Sequence, residues 1–261
     1  MSKLATYWVP FDFSEASRRG LEYAMDFAGP RKGVHLRICF ISEKETDSAL
    51  QEAFDTLKSP LGKGFRAQLS WTRISPPTVE GLLEASREGQ PDLVIIGTSG
   101  SDDPEGTTKT SKLVLAAPYP VLVVPSHAER EFRLKKIALV LGPREIDDPN
   151  DLATLLAVAR TYNAQVTVLT IENRPVTYGY SEEEERNERL LEYYLESFYS
   201  HHAYIRNEDV VQGIFEYVDQ HEIDMIAIFP RNHSRTENTS EGRLTRILAL
   251  QSSTPLLAIE S

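Results

Sequence analysis

The sequence predicts an α/β protein made of two parallel-sheet units in tandem, and three observations carry that expectation. Short apolar runs alternate with amphipathic segments of helical period, as in a parallel sheet covered by helices. The alternation occurs twice in the same order, giving ten strand-like runs in two sets of five. The shift between the sets is nearly constant: "DLVIIG" to "DMIAIF" gives 224 − 92 = 132, and "YPVLVV" to "TPLLAI" gives 254 − 119 = 135. A constant shift of this kind implies duplication.

In chain order, "TYWVPF" (Thr6 to Phe11) is the first strand, and "SEASRRGLEYAMDFA" puts Leu21, Ala24, Met25 and Ala28 on one helical face. "HLRICFIS" is the second strand, "TDSALQEAFDTLK" a helix through Leu50, Phe54 and Leu57, and "FRAQLSWTRI" the third strand. "TVEGLLEASRE" is a helix through Val79, Leu82 and Leu83, and "DLVIIG" and "YPVLVVP" close the first set. From Lys136 the order returns: strand "IALVLG", a helix in "DDPNDLATLLAVARTY", strand "QVTVLTI", a helix in "SEEEERNERLLEYYLESFYS", strand "HHAYIR", helix "DVVQGIFEYVDQ", then strands "DMIAIF" and "TPLLAIE". The charged stretch "SHAEREFRL", Ser126 to Leu134, has no apolar period and divides the chain into domains at 1–126 and 135–261.

Composition narrows the function classes. A chain of 261 residues with 41% apolar and 26% charged residues has the makeup of a soluble globular protein. The net charge of −11 opposes binding to nucleic acid or an anionic membrane. The apolar runs are far shorter than the roughly 20 residues that span a bilayer, and "MSKLATYWVPFD" lacks a cleavable signal pattern, so a cytoplasmic protein is expected. The single cysteine, Cys39, cannot form an internal disulfide and reads as a buried, inert thiol. His201 and His202 are adjacent, so on a strand they point to opposite faces; His35, His127, His221 and His233 lack ligand spacing, and no metal site is predicted. G-x-S-x-G and the Walker pattern are both absent, and nothing resembles the catalytic constellation of a dedicated enzyme.

Ligands of an open parallel sheet bind outside the carboxyl ends of the strands, where the winding reverses. With strand order 3-2-1-4-5, strands one and four adjoin at that reversal and Asp12 faces Gly97 across one crevice. "GTSGSDDPEGTTKTSK", Gly97 to Lys112, leaves strand four through glycines and enters a helix start, exposing N–H groups that attract phosphate. Asp102, Asp103 and Glu105 oppose a triphosphate unless they point outward or reach it through Mg²⁺. Two readings stay open: the stretch cradles an anion, or its glycines only serve a turn. Asp12 has a bland reading too, since "DFSE" fits an Asp-x-x-Glu capping box.

"VPFDFSEASRRGLEYAMDFA", "DLVIIGTSG" and "APYPVLVVP" resemble the first strand and helix and the fourth and fifth strands of the universal stress protein family, and the whole chain resembles its tandem form. The resemblance implies two Rossmann-like, adenine nucleotide alpha hydrolase-like domains in a stress-response regulatory or signalling protein. ATP, with Mg²⁺, would be a regulatory ligand of the first domain, hydrolysed slowly at most. In the ATP-binding branch the end of strand one and the backbone ending strand two hold the nucleoside, positions that look like Pro10, Asp12 and Phe40 here. Glycines in a G-x2-G-x9-G-[ST] pattern hold the phosphates, and Gly97 and Gly100 match the first pair. Counting back from "APYP" puts Thr107 and Thr108 where the family has Gly and Ser, with Gly106 one residue earlier; the loop is about three residues shorter than the pattern. Lys109 is a charge partner for phosphate.

The second half departs further. Asp12 has no counterpart near "LVLGPRE", the first two glycines become Phe229 and Asn232, Pro230 removes a donor, and Arg243 follows Gly242 in place of a hydroxyl residue. This half reads as a structural or regulatory partner with a degenerate nucleotide motif. Family members dimerise through the fifth strand, and "PVLVVPS" and "PLLAIES" are apolar edges of the kind that invite pairing. The two fifth strands are therefore expected to pair within the chain, with a homodimer left open. The competing expectation is a module that binds no nucleotide and engages protein partners.

Overall fold

The computed structural model describes residues 4–59, 61, 64–101, 108–128, 131–141, 152–173, 182–230 and 243–259, with backbone alone for 182–187. The first half runs β1 (Thr6–Phe11), α1 (Glu15–Ala28), β2 (His35–Phe40), α2 (Asp47–Lys58), β3 (Gln68–Arg73), α3 (Val79–Gly89), β4 (Leu93–Thr98), α4 (Lys109–Ala116) and β5 (Val121–Pro125). The second runs β6 (Lys136–Val140), α5 (Leu152–Tyr162), β7 (Gln165–Glu172), α6 (Glu182–Leu195), a 3-10 turn (Glu196–Phe198), β8 (Tyr199–Arg206), α7 (Val210–His221), β9 (Met225–Ile228), α8 (Arg243–Gln251) and β10 (Leu256–Ala258). The sequence reading named no helix at α8, although its Ile247, Leu248 and Leu250 are buried.

All ten strands join one sheet in the order β3-β2-β1-β4-β5-β10-β9-β6-β7-β8. Each half is the doubly wound 3-2-1-4-5 arrangement that the apolar runs imply. The halves meet where β5 and β10 pair antiparallel, Val123 opposite Leu256, Leu122 opposite Leu257 and Val121 opposite Ala258. Both strands are buried along their length, which is why their sequences are continuously apolar rather than alternating.

The duplication reappears in one repeated clamp. Asp92, just before β4, accepts the N–H groups of Ala5 and Thr6 at 2.9 and 2.7 Å, and its own N–H donates to the Thr6 carbonyl at 2.9 Å. Asp224, just before β9, accepts from Lys135 and Lys136 at 2.6 and 2.8 Å and donates to the Lys136 carbonyl at 2.9 Å. Each carboxylate thus satisfies two amides at the head of a central strand, fixing where that strand enters the sheet.

Helix α1 is buried more widely than the face expected from its period. Leu21, Ala24 and Ala28 are buried and Met25 only partly, while Tyr23 and Phe27 are buried as well. The cause lies beyond the first half, in the dividing stretch and the second half: Tyr23 meets Phe132 and Phe27 meets Tyr162, with ring centroids 5.2 and 5.0 Å apart. Aromatic pairs of this geometry contribute about 0.5–1.5 kcal/mol each beyond the area they bury.

Candidate functional site

A cleft of about 390 Å³ opens at the carboxyl ends of β1 and β4. The end of β1 (Pro10, Phe11) and Asp12 form one wall, Ile96 to Gly100 the facing one, and the starts of α1 and α4 flank them. Ile41, Val79, Leu82 and Leu113 supply apolar surface between these walls.

The start of α1 is set by Ser14, whose hydroxyl accepts from the Ser17 N–H at 3.1 Å. Asp12 is therefore not the helix cap. Phe13 turns through a positive φ of 66°, leaving the Asp12 carboxylate outside the helix to accept from the Ser14 N–H at 3.1 Å and the Ser14 hydroxyl at 2.5 Å. Partial burial pushes the Asp12 pKa up, but the Ser14 and Ser17 hydrogen bonds and the charge of Lys109 outweigh it and hold the carboxyl below its ordinary value. A depressed carboxyl stabilises the fold above its unfolded pKa and ceases to do so as pH falls through the folded one. The urea midpoints of wild type and Asp12→Asn should thus differ by a constant amount from about pH 5 to 8 and converge on acidification below 3.8.

Gly97 and Gly100 serve different needs. A Cβ on Gly97 would lie 1.7 Å from the Ala16 carbonyl oxygen and 3.1 Å from the Gly20 nitrogen, so α1 crosses β4 at backbone contact. Gly100 has a φ of +76° and turns the chain against the end of α8, where the Leu250 carbonyl accepts from the Ser101 N–H at 3.1 Å. The Gly100 N–H donates to the Thr98 hydroxyl at 3.1 Å. Two amides of the loop are therefore already engaged, one of them by the second half.

Helix α4 begins at Thr108 in a reciprocal cap: the Thr108 hydroxyl accepts from the Ser111 N–H at 3.1 Å and the Ser111 hydroxyl from the Thr108 N–H at 3.0 Å. Lys109 and Thr110 follow on the cleft wall. Their N–H groups belong to the first turn, which has no intrahelical acceptors and carries the positive end of the dipole.

Pro10, Asp12, Gly97, Gly100 and Thr108 thus line one cleft. Phe40 does not: its ring is fully buried against Phe11, Phe13 and Trp71, its carbonyl accepts from the Ile74 N–H at 2.9 Å, and Ile41 takes the wall position. Gly106 and Thr107, with Asp102, Asp103 and Glu105, lie outside the described residues, as do Asn232 and Gly242. Phe229 is buried. Sequence reasoning missed Pro77, Thr78 and Val79, which close the cleft from the β3–α3 turn. Their signal was "ISPPTVE", a proline turn and helix cap leaving a strand on the same edge of the sheet.

Cys39 is fully buried, and burial raises its thiol pKa, so it stays protonated. His202 contacts the Thr170 hydroxyl at 2.9 Å and stacks on Tyr204. Among the described residues no three His, Cys, Asp or Glu side chains are placed to hold a metal ion, and no helix is long and apolar enough to cross a membrane.

Comparison with known proteins places this geometry in context. No curated protein matches the chain by sequence. The fold is that of a universal stress protein from Archaeoglobus fulgidus DSM 4304, with a TM-score of 0.69 at 12% identity over 99% of both chains. A protein described as a universal stress protein from Pseudomonas aeruginosa UCBPP-PA14 gives 0.64 at 13% over 98% of this chain and 93% of its own. The cytoplasmic domain of a prokaryotic cation chloride cotransporter gives 0.59 at 13% over 99% and 95%. At these identities the likeness concerns the fold alone. The universal stress protein family model matches residues 8–125. The first half thus carries the match to the universal stress protein family, and the second half repeats the same fold.

Proposed function

We propose that the first half binds ATP, accompanied by Mg²⁺, as a regulatory ligand of a cytoplasmic stress-response protein, and that the second half acts as its structural partner. The observation that carries this reading is the meeting of two helix N-termini, those of α1 and α4, on one cleft with apolar surface. A cavity with an apolar lining and a few converging polar groups suits a nucleoside. Ile41, Val79 and Leu82 would pack against it, while Asp12, held ionised, accepts hydrogen bonds from its hydroxyl or amino groups. The phosphates would sit at the first turn of α4 beside Lys109, where backbone dipoles and charge both favour an anion. ATP is a ligand in this reading, and prolonged incubation should release no ADP.

Isothermal titration of the full chain with ATP and Mg²⁺ tests it. One site per chain is expected, and Asp12→Ala should weaken binding about tenfold, the loss typical of a charge-assisted hydrogen bond. Absence of binding heat, with no adenylate released on denaturing purified protein, would overturn the proposal. The engaged N–H groups of Gly100 and Ser101 favour the second reading: a loop docked on α8 instead of on phosphate, in a module that engages protein partners without nucleotide.

A further inference from the structure

A larger cavity lies away from this cleft, at the amino ends of β1 and β2, and measures about 1060 Å³. The first half contributes Leu4 and the α1–β2 turn, Arg31 to Val34; the second contributes one face of α5 and the aromatic end of α6. Most of the lining is aliphatic or aromatic. Tyr193 is 76% exposed at its edge, one of three large apolar side chains exposed among the described residues. Exposed aromatic surface beside an apolar hollow marks a binding site more often than a plain surface.

Charge in the cavity is positive in excess, Arg31, Lys32 and Arg160 against Glu196. Glu196 is matched by Arg160 at 2.6 Å. Arg31 is held only by neutral groups: the Ala28 carbonyl at 3.0 Å, the hydroxyls of Tyr7 and Tyr162 at 3.0 and 3.2 Å, and the Phe27 carbonyl. Its guanidinium also lies 5.6–5.8 Å from the ring centres of Tyr7, Phe27 and Tyr162. Among the described residues no carboxylate pairs with it. Lys32 follows on the rim, exposed. A fixed cation without a counter-ion at the mouth of an apolar hollow is complementary to an anion carrying an apolar body.

We infer that this cavity binds an amphipathic monocarboxylate, the chemistry of a fatty-acid anion, with its head at Arg31 and Lys32 and its tail along Val34, Leu156 and Ala157. A polyphosphate is the poorer occupant. The C-termini of α1 and α5 both end here, and their negative dipole ends oppose multiple negative charges while one carboxylate is outweighed by two cations. The site is independent of the nucleotide reading.

Titrating the full chain with laurate tests the inference, with dodecanol and dodecylammonium as uncharged and cationic probes of equal length. Laurate should bind once per chain, and both other probes at least about tenfold more weakly. Ala157→Trp, which fills the hollow, should abolish laurate binding while leaving the ATP titration and far-UV circular dichroism unchanged. Lys32→Glu alters an exposed side chain and should weaken laurate about tenfold; it carries the test should Ala157→Trp fail to fold. No saturable laurate binding, equal binding of dodecanol, or unchanged affinity in Lys32→Glu would each overturn the site.

Discussion

Gly97→Ala should lower the stability of the chain by about 3–5 kcal/mol, although it adds a single methyl group. The added carbon would stand 1.7 Å from the Ala16 oxygen and 2.5 Å from its carbonyl carbon. Both are backbone atoms, so no rotamer change relieves the overlap and α1 must withdraw from β4. Withdrawal opens voids beside Leu21, Ala24 and Phe27, all buried in the same core, and voids cost about 24 cal/mol per Å³. Gly20 fits the contact from the other side, since a Cβ there would lie 2.5 Å from the Gly97 nitrogen. With domain stabilities of about 5–15 kcal/mol, a loss of this size is a large fraction of the total. Urea denaturation should show a lower midpoint with an unchanged slope; a midpoint equal to wild type would refute the contact.

Asp224→Ala should be the next most damaging change, at about 3 kcal/mol. Its side chain is 10% exposed and, besides the two strand-head amides, accepts an ion pair from the Arg133 Nε at 3.3 Å. Alanine leaves both amides without an acceptor and the guanidinium without its partner. Asp92→Ala removes the equivalent amide acceptor in the first half without a comparable ion pair among the described residues, so about 2 kcal/mol is expected. For a chain of this length the melting temperature should fall by roughly 2–4 °C per kcal/mol. A smaller shift for Asp224→Ala than for Asp92→Ala in circular dichroism melts would contradict the ranking.

The fold was legible because strands covered by helices on both faces must be apolar throughout, and because the same acid opens the fourth strand of each set at Asp92 and Asp224. Strand order followed from local connections and placed Asp12 and Gly97 together. What stayed hidden depends on residues distant in the chain. Nothing around Gly97 signals that Ala16 and Gly20 press on it. The burial of Tyr23 and Phe27 needs Phe132 and Tyr162, and the engagement of Ser101 needs Leu250. "DFSE" contains two residues able to cap a helix, and only the backbone turn at Phe13 decides that Ser14 does so. Phe40 precedes a wall residue, but its ring packs into the core and its carbonyl is taken by β3's exit.

Joining the halves through β5 and β10 also determines which margins meet solvent. The outermost strands are β3 and β8, and neither contains a fully buried residue. Arg73 at the end of one pairs with Asp47, and Arg206 at the end of the other with Glu172. Charge and half-wetted side chains on a terminal strand discourage lateral growth by strand addition. The greasy ribbons that would have templated such growth face each other in the middle of the molecule, so the join that unites the two halves also guards against fibril-like stacking.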